Sequence, residues 1–577
     1  MEYYMFVHFG PNTFTDVEWG DGREDPSVFN PSELDCRQWA ATASAAGMKG
    51  IIITAKHHDG FCLWPSRFST HTVRESPWRD GRGDVLRELS DACREYGLKF
   101  GVYLSPWDQN HPAYGTPEYN TVFANTLDEV LSSYGEVFEQ WFDGACGEGP
   151  NGKRQEYHWP LFHKSVHTRQ PQAVIFSDVG PGCRWIGNER GFAGETNWSR
   201  LDTAGFAPGH GSPALDTLNC GNVHGQAWVP GEVDVSIRPG WFYSPSTDMQ
   251  VKPLFALLDI YYKSVGRNAN LLLNVPADRR GRIHPSDSAR LVELRRVLDA
   301  TFADNLTRGA SVTASSTRGK GYEAARVVDG DYDAYWAAAD GVCQASLTIV
   351  LPRTAQANRL VLQEYIPLGQ RVAQFSVEYF LDGEWQPLAM GTTIGYKRIL
   401  RFATITTDRL RINILRSLAC PALNGVGLYF TQAEPDAQSA ESANMAAAPA
   451  AWRVVTSKVD GAAILDGDPA TMALLPFGEP LTIDMGGRDT LYGLGYLPAH
   501  DMQAPNVSRY SISASDDGHN WRMVVEGGRF DNIRNNPVAQ RIEFASPVTA
   551  RYIRLEAVET AVESSNRYAV AGIAPLK

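Results

Sequence analysis

The 577-residue chain is short of several features that would place it quickly. No stretch of eighteen consecutive apolar residues occurs, so no segment reads as a membrane-crossing helix. There is no excess of positive charge: 53 Lys and Arg against 66 Asp and Glu leave −13, which argues against nucleic acid or an anionic membrane as the main partner. No Cys-x-x-Cys pair is present; cysteines 36, 62, 93, 146, 183, 220, 343 and 420 lack zinc or redox spacing and are expected to be reduced thiols. Residues 1–8 carry neither the basic stretch nor the apolar core of a signal peptide. As given, the chain is expected to be cytoplasmic, and secreted or periplasmic if a leader has been trimmed. No glycine-rich phosphate fingerprint follows the first apolar segment, so a doubly wound dinucleotide-binding sheet is disfavoured.

What is present reads as several globular domains. At about 100–200 residues each, the length predicts three or four. Short apolar runs recur in the first half: Met5 to His8, Gly50 to His58, Phe100 to Ser105, Phe138 to Asp143, Val174 to Asp178 and Leu271 to Val275. Continuous runs of this length suit parallel strands buried on both faces. Helical spacing separates them, as in Asp84 to Tyr96 closed by Gly97 and Thr121 to Tyr134 closed by Gly135. This β-α rhythm predicts a (β/α)₈-like barrel over residues 1–305, with the polar residues that end each run gathered at one face.

Beyond residue 306 the pattern changes to Val, Ile, Thr and Leu alternation with Gly and Asp turns, the mark of all-β sandwiches. Two stretches repeat one another. Val328-Asp329-Gly330-Asp331 is followed by Trp385 and Arg409 to Ile412, and Leu465-Asp466-Gly467-Asp468 by Trp521 and Arg551 to Leu555. Sandwiches are expected over 306–431 and 452–577, joined by an Ala-, Ser- and Pro-rich linker over 432–451. The Asp-rich turns offer oxygen ligands for a structural Ca²⁺, although ordinary turns have the same composition and are favoured.

The chemistry is expected in the first half, where 11 of 15 Trp and 10 of 13 His precede residue 242. Asp143 ends the run Gln140-Trp141-Phe142-Asp143-Gly144, which would set a carboxylate in the barrel mouth beside an indole; the alternative is a helix N-cap. Glycoside chemistry needs a second carboxylate, and the next loop offers Glu189, with Glu195 close behind. The pair can reach the ~5–5.5 Å separation of retaining enzymes or the wider inverting gap, and the sequence does not choose. His57 and His58 reach one pocket only if the chain turns after them, which Gly60 permits. No third ligand stands at recognisable spacing, so no metal is assigned. Tryptophans 19, 64, 107, 141, 185, 198, 228 and 241 sit near these strand ends, and aromatic faces beside acids and imidazoles suggest carbohydrate.

Together the segments Val7-His8-Phe9-Gly10, Glu18-Trp19-Gly20, Thr54 to Phe61, Gly101 to Ser105, Trp141 to Gly144, Arg184 to Glu189, Val235 to Tyr243 and Leu272 to Gly281 resemble family 29 glycoside hydrolases. These are α-L-fucosidases, and the likeness is greatest to the subgroup acting on branched α-1,3/1,4-linked fucose. The resemblance implies an exo-acting retaining double displacement without a cofactor. Asp143 would be the nucleophile and Glu189 the acid/base, with Glu195 its rival. His8, His57, His58, Tyr103 and Trp141 match positions that hold the fucose, and Trp19, Arg184, Trp185 and Trp241 complete the implied substrate-binding set. The C-terminal repeats resemble discoidin, or coagulation factor 5/8 type C, modules. Fucosylated glycans are the implied partners, with no nucleic acid and no membrane; the oligomeric state stays open. A barrel glycosidase for another sugar, or a non-catalytic glycan-binding protein, is the alternative.

Overall fold

In a computed structural model the described residues are 1–434, 447–456, 459, 461–468, 471–500, 503–530, 532–534, 536–562 and 564–576. Most of the expected linker, 435–446, lies outside them. The chain forms two compact units. The first comprises Met1–Ile237, Phe242–Ser244 and Lys252–Glu434; the second is the C-terminal part of the chain together with Arg238–Trp241 and Pro245–Val251.

Eight strands close the barrel: β1 (Tyr3–Val7), β2 (Gly50–Lys56), β3 (Lys99–Leu104), β4 (Glu139–Trp141), β5 (Val174–Ser177), β6 (Cys183–Trp185), β7 (Gly231–Ser236) and β8 (Ala269–Asn274). They pair in parallel in chain order, and β8 returns to β1 with Tyr3 opposite Leu271. Strands β1 and β2 are buried at every position, which is why their sequences run apolar without alternation. The helices α1 (Cys36–Ala45), α2 (Val85–Glu95), α3 (Pro117–Ser133), α4 (Trp159–Arg169), α5 (Leu254–Ser264) and α6 (Pro285–Phe302) surround it. Asp84 caps α2 by accepting from the Arg87 N–H at 2.9 Å, and Gly97 follows at φ +67, a conformation that a Cβ disfavours.

Two departures from a regular rhythm matter for the site. Strands β5 and β6 are joined by residues 178–182 with no helix among the described residues, so Arg184 and Trp185 lie in a barrel strand and the loop that carries Glu189 begins only after them. A long excursion, 186–230, then carries only the short helix Leu215–Cys220 and a hairpin pairing Arg200 with Trp228 before β7 begins.

The first sandwich is a seven-stranded antiparallel sheet built on two twenty-residue strands, Ala345–Glu364 and Arg398–Ser417. Its core includes Trp336, Leu360, Phe375 and Ile412. The second repeats the plan on Leu481–Leu497 and Gln540–Thr560 around Leu494, Ile512 and Ile553. The repeat seen in the sequence has a shared contact behind it: Arg411 lies 4.4 Å from the Trp385 ring centre, and Arg554 3.7 Å from that of Trp521. The Asp-rich turns close on themselves. Asp329 accepts from the Asp331 N–H, and Asp466 from the Asp468 N–H, each at 2.9 Å.

Candidate active site

Asp143 stands two residues beyond the last residue of β4, at the C-terminal face of the barrel. Its Oδ2 accepts from the Tyr103 hydroxyl at 3.0 Å, and its Oδ1 accepts from the Ala145 N–H at 2.7 Å. The side chain keeps 26% exposure, so the carboxylate is oriented but still reachable. It caps no helix: α4 starts only at Trp159 and is capped by His158. Gly144 leaves room beside it for Asp178, whose Oδ2 would lie 1.8 Å from a Cβ there.

Three histidines line the same mouth. Strand β2 ends at Lys56, whose ammonium is buried against Asp108 at 3.1 Å, and Gly60 at φ +83 then turns the chain. This turn sets the His57 and His58 rings 4.1 Å apart on one side, as both must be to share a pocket. His58 shares a hydrogen bond with the Ser105 hydroxyl through Nδ1 at 2.8 Å and brings Nε2 to 3.8 Å from Asp143. His8 shares a hydrogen bond with the Asn274 side chain through Nδ1 at 2.9 Å. His57 stacks 5.7 Å from Tyr103, and its Nδ1 is buried without a hydrogen-bond partner among the described residues. Burial holds all three neutral, pushing His8 down to about 3, His58 to about 4 and His57 well below the ordinary histidine value. They therefore present hydrogen-bonding imidazoles rather than cations at neutral pH.

Beneath the mouth the barrel interior is acidic. Trp141 stacks on Phe176 at 3.9 Å and donates its indole N–H to Glu232 at 2.9 Å. The Tyr4 hydroxyl donates to Glu232 and lies 3.3 Å from Glu139. Side chains from β1, β4 and β7 thus meet across the barrel. Burial and the neighbouring Glu232 raise Glu139 well above the carboxylate range, which favours its protonated form. Ligand atoms of Glu139, Cys183 and Glu232 lie within 4.8 Å of one another, and Tyr4 and Trp141 both donate to Glu232.

Two further carboxyls were not singled out from the sequence. Asp178 follows β5 as Asp143 follows β4, and burial followed by the charge of Asp143 pushes it up to about 7. Asp234 lies within β7, 3% exposed. Burial raises it well above its usual value, and Glu189 and Asp143 are among the charges that raise it further. The signal for Asp178 was visible, a carboxylate ending an apolar run. Asp234 was hidden in the alternation Glu232-Val233-Asp234-Val235 of a strand that the apolar runs did not reveal.

The remaining expected residues separate. Glu189 is half-buried in the loop after β6, which Asn188 and Asn219 brace by donating to the Phe192 carbonyl at 2.9 and 3.1 Å. Glu195 is 74% exposed on its side chain and pairs at 3.2 Å with Arg267, just before β8 begins, which places it toward the opposite end of the barrel. Arg184 is fully buried and spends its guanidinium on the Leu218 and Val229 carbonyls and on Asn197, so it braces the 186–230 excursion instead of facing the mouth. Trp185 packs against the small cluster of Leu201, Leu218 and Val229. Trp19, 54% exposed, meets His58 and Trp107 edge-on at 5.3 and 5.6 Å and forms a wall at the entrance. Trp241 groups with the second compact unit, and Phe242, 5.2 Å from His8, is the aromatic at the mouth.

Residues 2–301 match the family described as Alpha-L-fucosidase, and residues 311–423 and 447–571 match the F5/8 type C domain. A putative alpha-L-fucosidase 1 of Oryza sativa subsp. japonica is 44% identical over 433 residues, spanning 74% of this chain and 82% of its own. The crystal structure of a glycoside hydrolase 29 family member from an unknown rumen bacterium is 39% identical, with a TM-score of 0.68 over 100% of this chain and 97% of that one. A Ruminococcus gnavus GH29 fucosidase in complex with fucose is 33% identical, with a TM-score of 0.68 over 75% of this chain and 93% of that one.

Proposed function

Because the chain belongs to the alpha-L-fucosidase family, as a glycoside hydrolase with F5/8 type C domains, we propose that it removes terminal α-1,3/1,4-linked L-fucose from glycans by a retaining double displacement. The observation that carries this reading is Asp143, held by the Tyr103 hydroxyl and the Ala145 N–H at the mouth of the barrel, within reach of His58 and above Trp141.

An oxygen of Asp143 attacks the anomeric carbon as the bond to the leaving oxygen breaks, and Glu189 delivers a proton to that oxygen. A water then gives its proton to Glu189 and attacks the same carbon as the bond to Asp143 breaks, restoring the Asp143 carboxylate and releasing fucose with its configuration retained. Asp234, buried in β7, lies in the electrostatic field of both residues. Glu195 is disfavoured as acid/base by its exposure and its ion pair with Arg267. Neutral His8, His57 and His58 suit sugar hydroxyls, and the unpartnered Nδ1 of His57 is the natural position for one. The carboxyl pair supplies both nucleophile and proton donor, so the proposed reaction uses no metal or cofactor.

The test is azide rescue on an aryl α-L-fucoside beside a branched fucosylated trisaccharide. Asp143→Ala is expected to lose about 10³-fold or more in kcat/KM, with azide restoring turnover to a β-fucosyl azide. Glu189→Ala is expected to give the α-azide and Glu195→Ala to behave as wild type. An α-azide from Glu195→Ala would transfer the acid/base role to that residue, and failure on the trisaccharide would remove the linkage assignment.

A further inference from the structure

A cavity of about 830 Å³ lies at the other end of the barrel from Asp143, where the N-terminal ends of the strands meet the first sandwich. Both walls belong to the first compact unit. They are tied together by backbone: Asn268 N–H donates to the Lys397 carbonyl at 3.0 Å, and Ile399 N–H to the Gly266 carbonyl at 3.0 Å. The Tyr396 N–H reaches the Asn268 side chain at 2.7 Å, and Lys397 pairs with Glu2. The cavity is thus walled by a built junction, and its volume falls in the range of about 300–1,000 Å³ usual for small-molecule sites.

Its lining is aromatic and positively charged. Tyr3 and Tyr261 face it from the barrel, and Tyr332, Tyr396 and Tyr429 from the sandwich. Tyr332 and Tyr396 are 63% and 49% exposed, which leaves large ring areas available to a visitor. Tyr3 is the opposite case. It is 7% exposed, lines the cavity, and its hydroxyl is buried with no hydrogen-bond partner among the described residues. That hydroxyl has no accessible area, so Tyr3 contributes its ring edge to the cavity floor and the exposed tyrosines supply the contact surface. Among the charged lining residues, Lys49, Lys99, Arg295 and Lys397 face only Glu2 and Asp299. Two of these cations are occupied locally, Lys397 by Glu2 and Arg295 by Asp299 at 2.8 Å. Lys99 is exposed and lies 3.8 Å from the exposed Glu136, and Lys49 is exposed, so the lining keeps a net positive balance.

From the exposed tyrosine rings and the cationic rim, we propose that this cavity is a second binding site, for an oligosaccharide bearing a carboxylate or sulfate. Ring faces take the C–H faces of the sugar, hydroxyls take its hydroxyls, and Lys49 and Lys99 take the anionic group. The site does not depend on the chemistry at Asp143.

The full chain is titrated with 3′-sialyllactose, lactose and inorganic phosphate, with binding read by saturation-transfer NMR and calorimetry. The probes contain no fucose, so turnover does not interfere. Saturable binding of 3′-sialyllactose is expected, with lactose and phosphate each weaker by about tenfold or more. The surface double variant Lys49→Glu/Lys99→Glu, and separately Tyr332→Ala, are expected to lose about tenfold in affinity with melting temperature unchanged, while Asp143→Ala keeps wild-type affinity. The proposal is overturned if 3′-sialyllactose does not saturate, if both surface variants bind normally, or if Asp143→Ala or added fucose abolishes binding. Phosphate binding as tightly as the saccharide would overturn the sugar assignment.

Discussion

Asp234 in the barrel and Glu364 in the first sandwich are both buried carboxyls, 3% and 2% exposed, and the fold treats them differently. Glu364 receives three backbone donors, from Arg371 and Gly395 at 2.7 Å and from Val372 at 2.8 Å. Burial pushes it up to about 7, with those donors working against the rise. Asp234 has an oxygen with no hydrogen-bond partner among the described residues and lies in the field of Glu189 and Asp143. A carboxyl enclosed by N–H donors organises the turn around it. One left partly unsatisfied beside two other acids costs stability and is retained where chemistry needs it.

The largest expected effects come from exchanging these roles. Glu364→Ala should lower unfolding free energy by about 2–4 kcal/mol, since three buried N–H groups lose their acceptor, while kcat/KM on an aryl fucoside stays at the wild-type value. Asp234→Ala should do the reverse, lowering kcat/KM by about 10²-fold with a melting temperature unchanged or higher. Urea unfolding and steady-state kinetics on both variants decide it. If Asp234→Ala collapses the fold and Glu364→Ala is silent, the contrast is wrong.

A smaller effect is expected at Asp178, whose carboxyl is raised to about 7 by burial and the nearby charge of Asp143. The folded state then binds the proton more tightly than the unfolded state. Asp178 therefore contributes a stability term that is complete below about pH 4 and is lost as pH rises toward about 7. Asp178→Asn removes that slope. Its stability relative to wild type should climb by about 1–3 kcal/mol between pH 4 and pH 7 and level off above, as read by denaturant unfolding across that range. A flat difference would mean that Asp178 is not raised.

The smallest effect compares the two sandwiches. Arg411→Ala and Arg554→Ala each remove a guanidinium from a tryptophan face, and each should cost about 0.5–1 kcal/mol, with activity unchanged. A loss of activity from either variant would give its sandwich a part in turnover.

Much of the barrel could be read from the chain. The runs at Gly50 to Lys56 and Lys99 to Leu104 are apolar because both faces are covered, and Asp84 and Gly97 bracket α2 by ordinary capping chemistry. Asp143 stood out as a carboxylate ending such a run, and the turn that Gly60 permits brought His57 and His58 together as expected. Arg184 and Glu195 read otherwise. Their surroundings depend on the path of residues 186–230, which has little regular structure to mark its course.

Strand order, helix caps and the repeat of the two sandwiches were determined by sequence alone, because periodicity and local hydrogen bonding act over a few residues. Only the tertiary structure decided that Glu139 and Glu232 meet beneath Trp141, that Asp234 lies in the field of both Asp143 and Glu189, and that Tyr3, Tyr332 and Tyr396 line one cavity. Barrel closure brings together residues 93 to 228 positions apart in the chain, and a carboxyl's protonation depends on its neighbours in space.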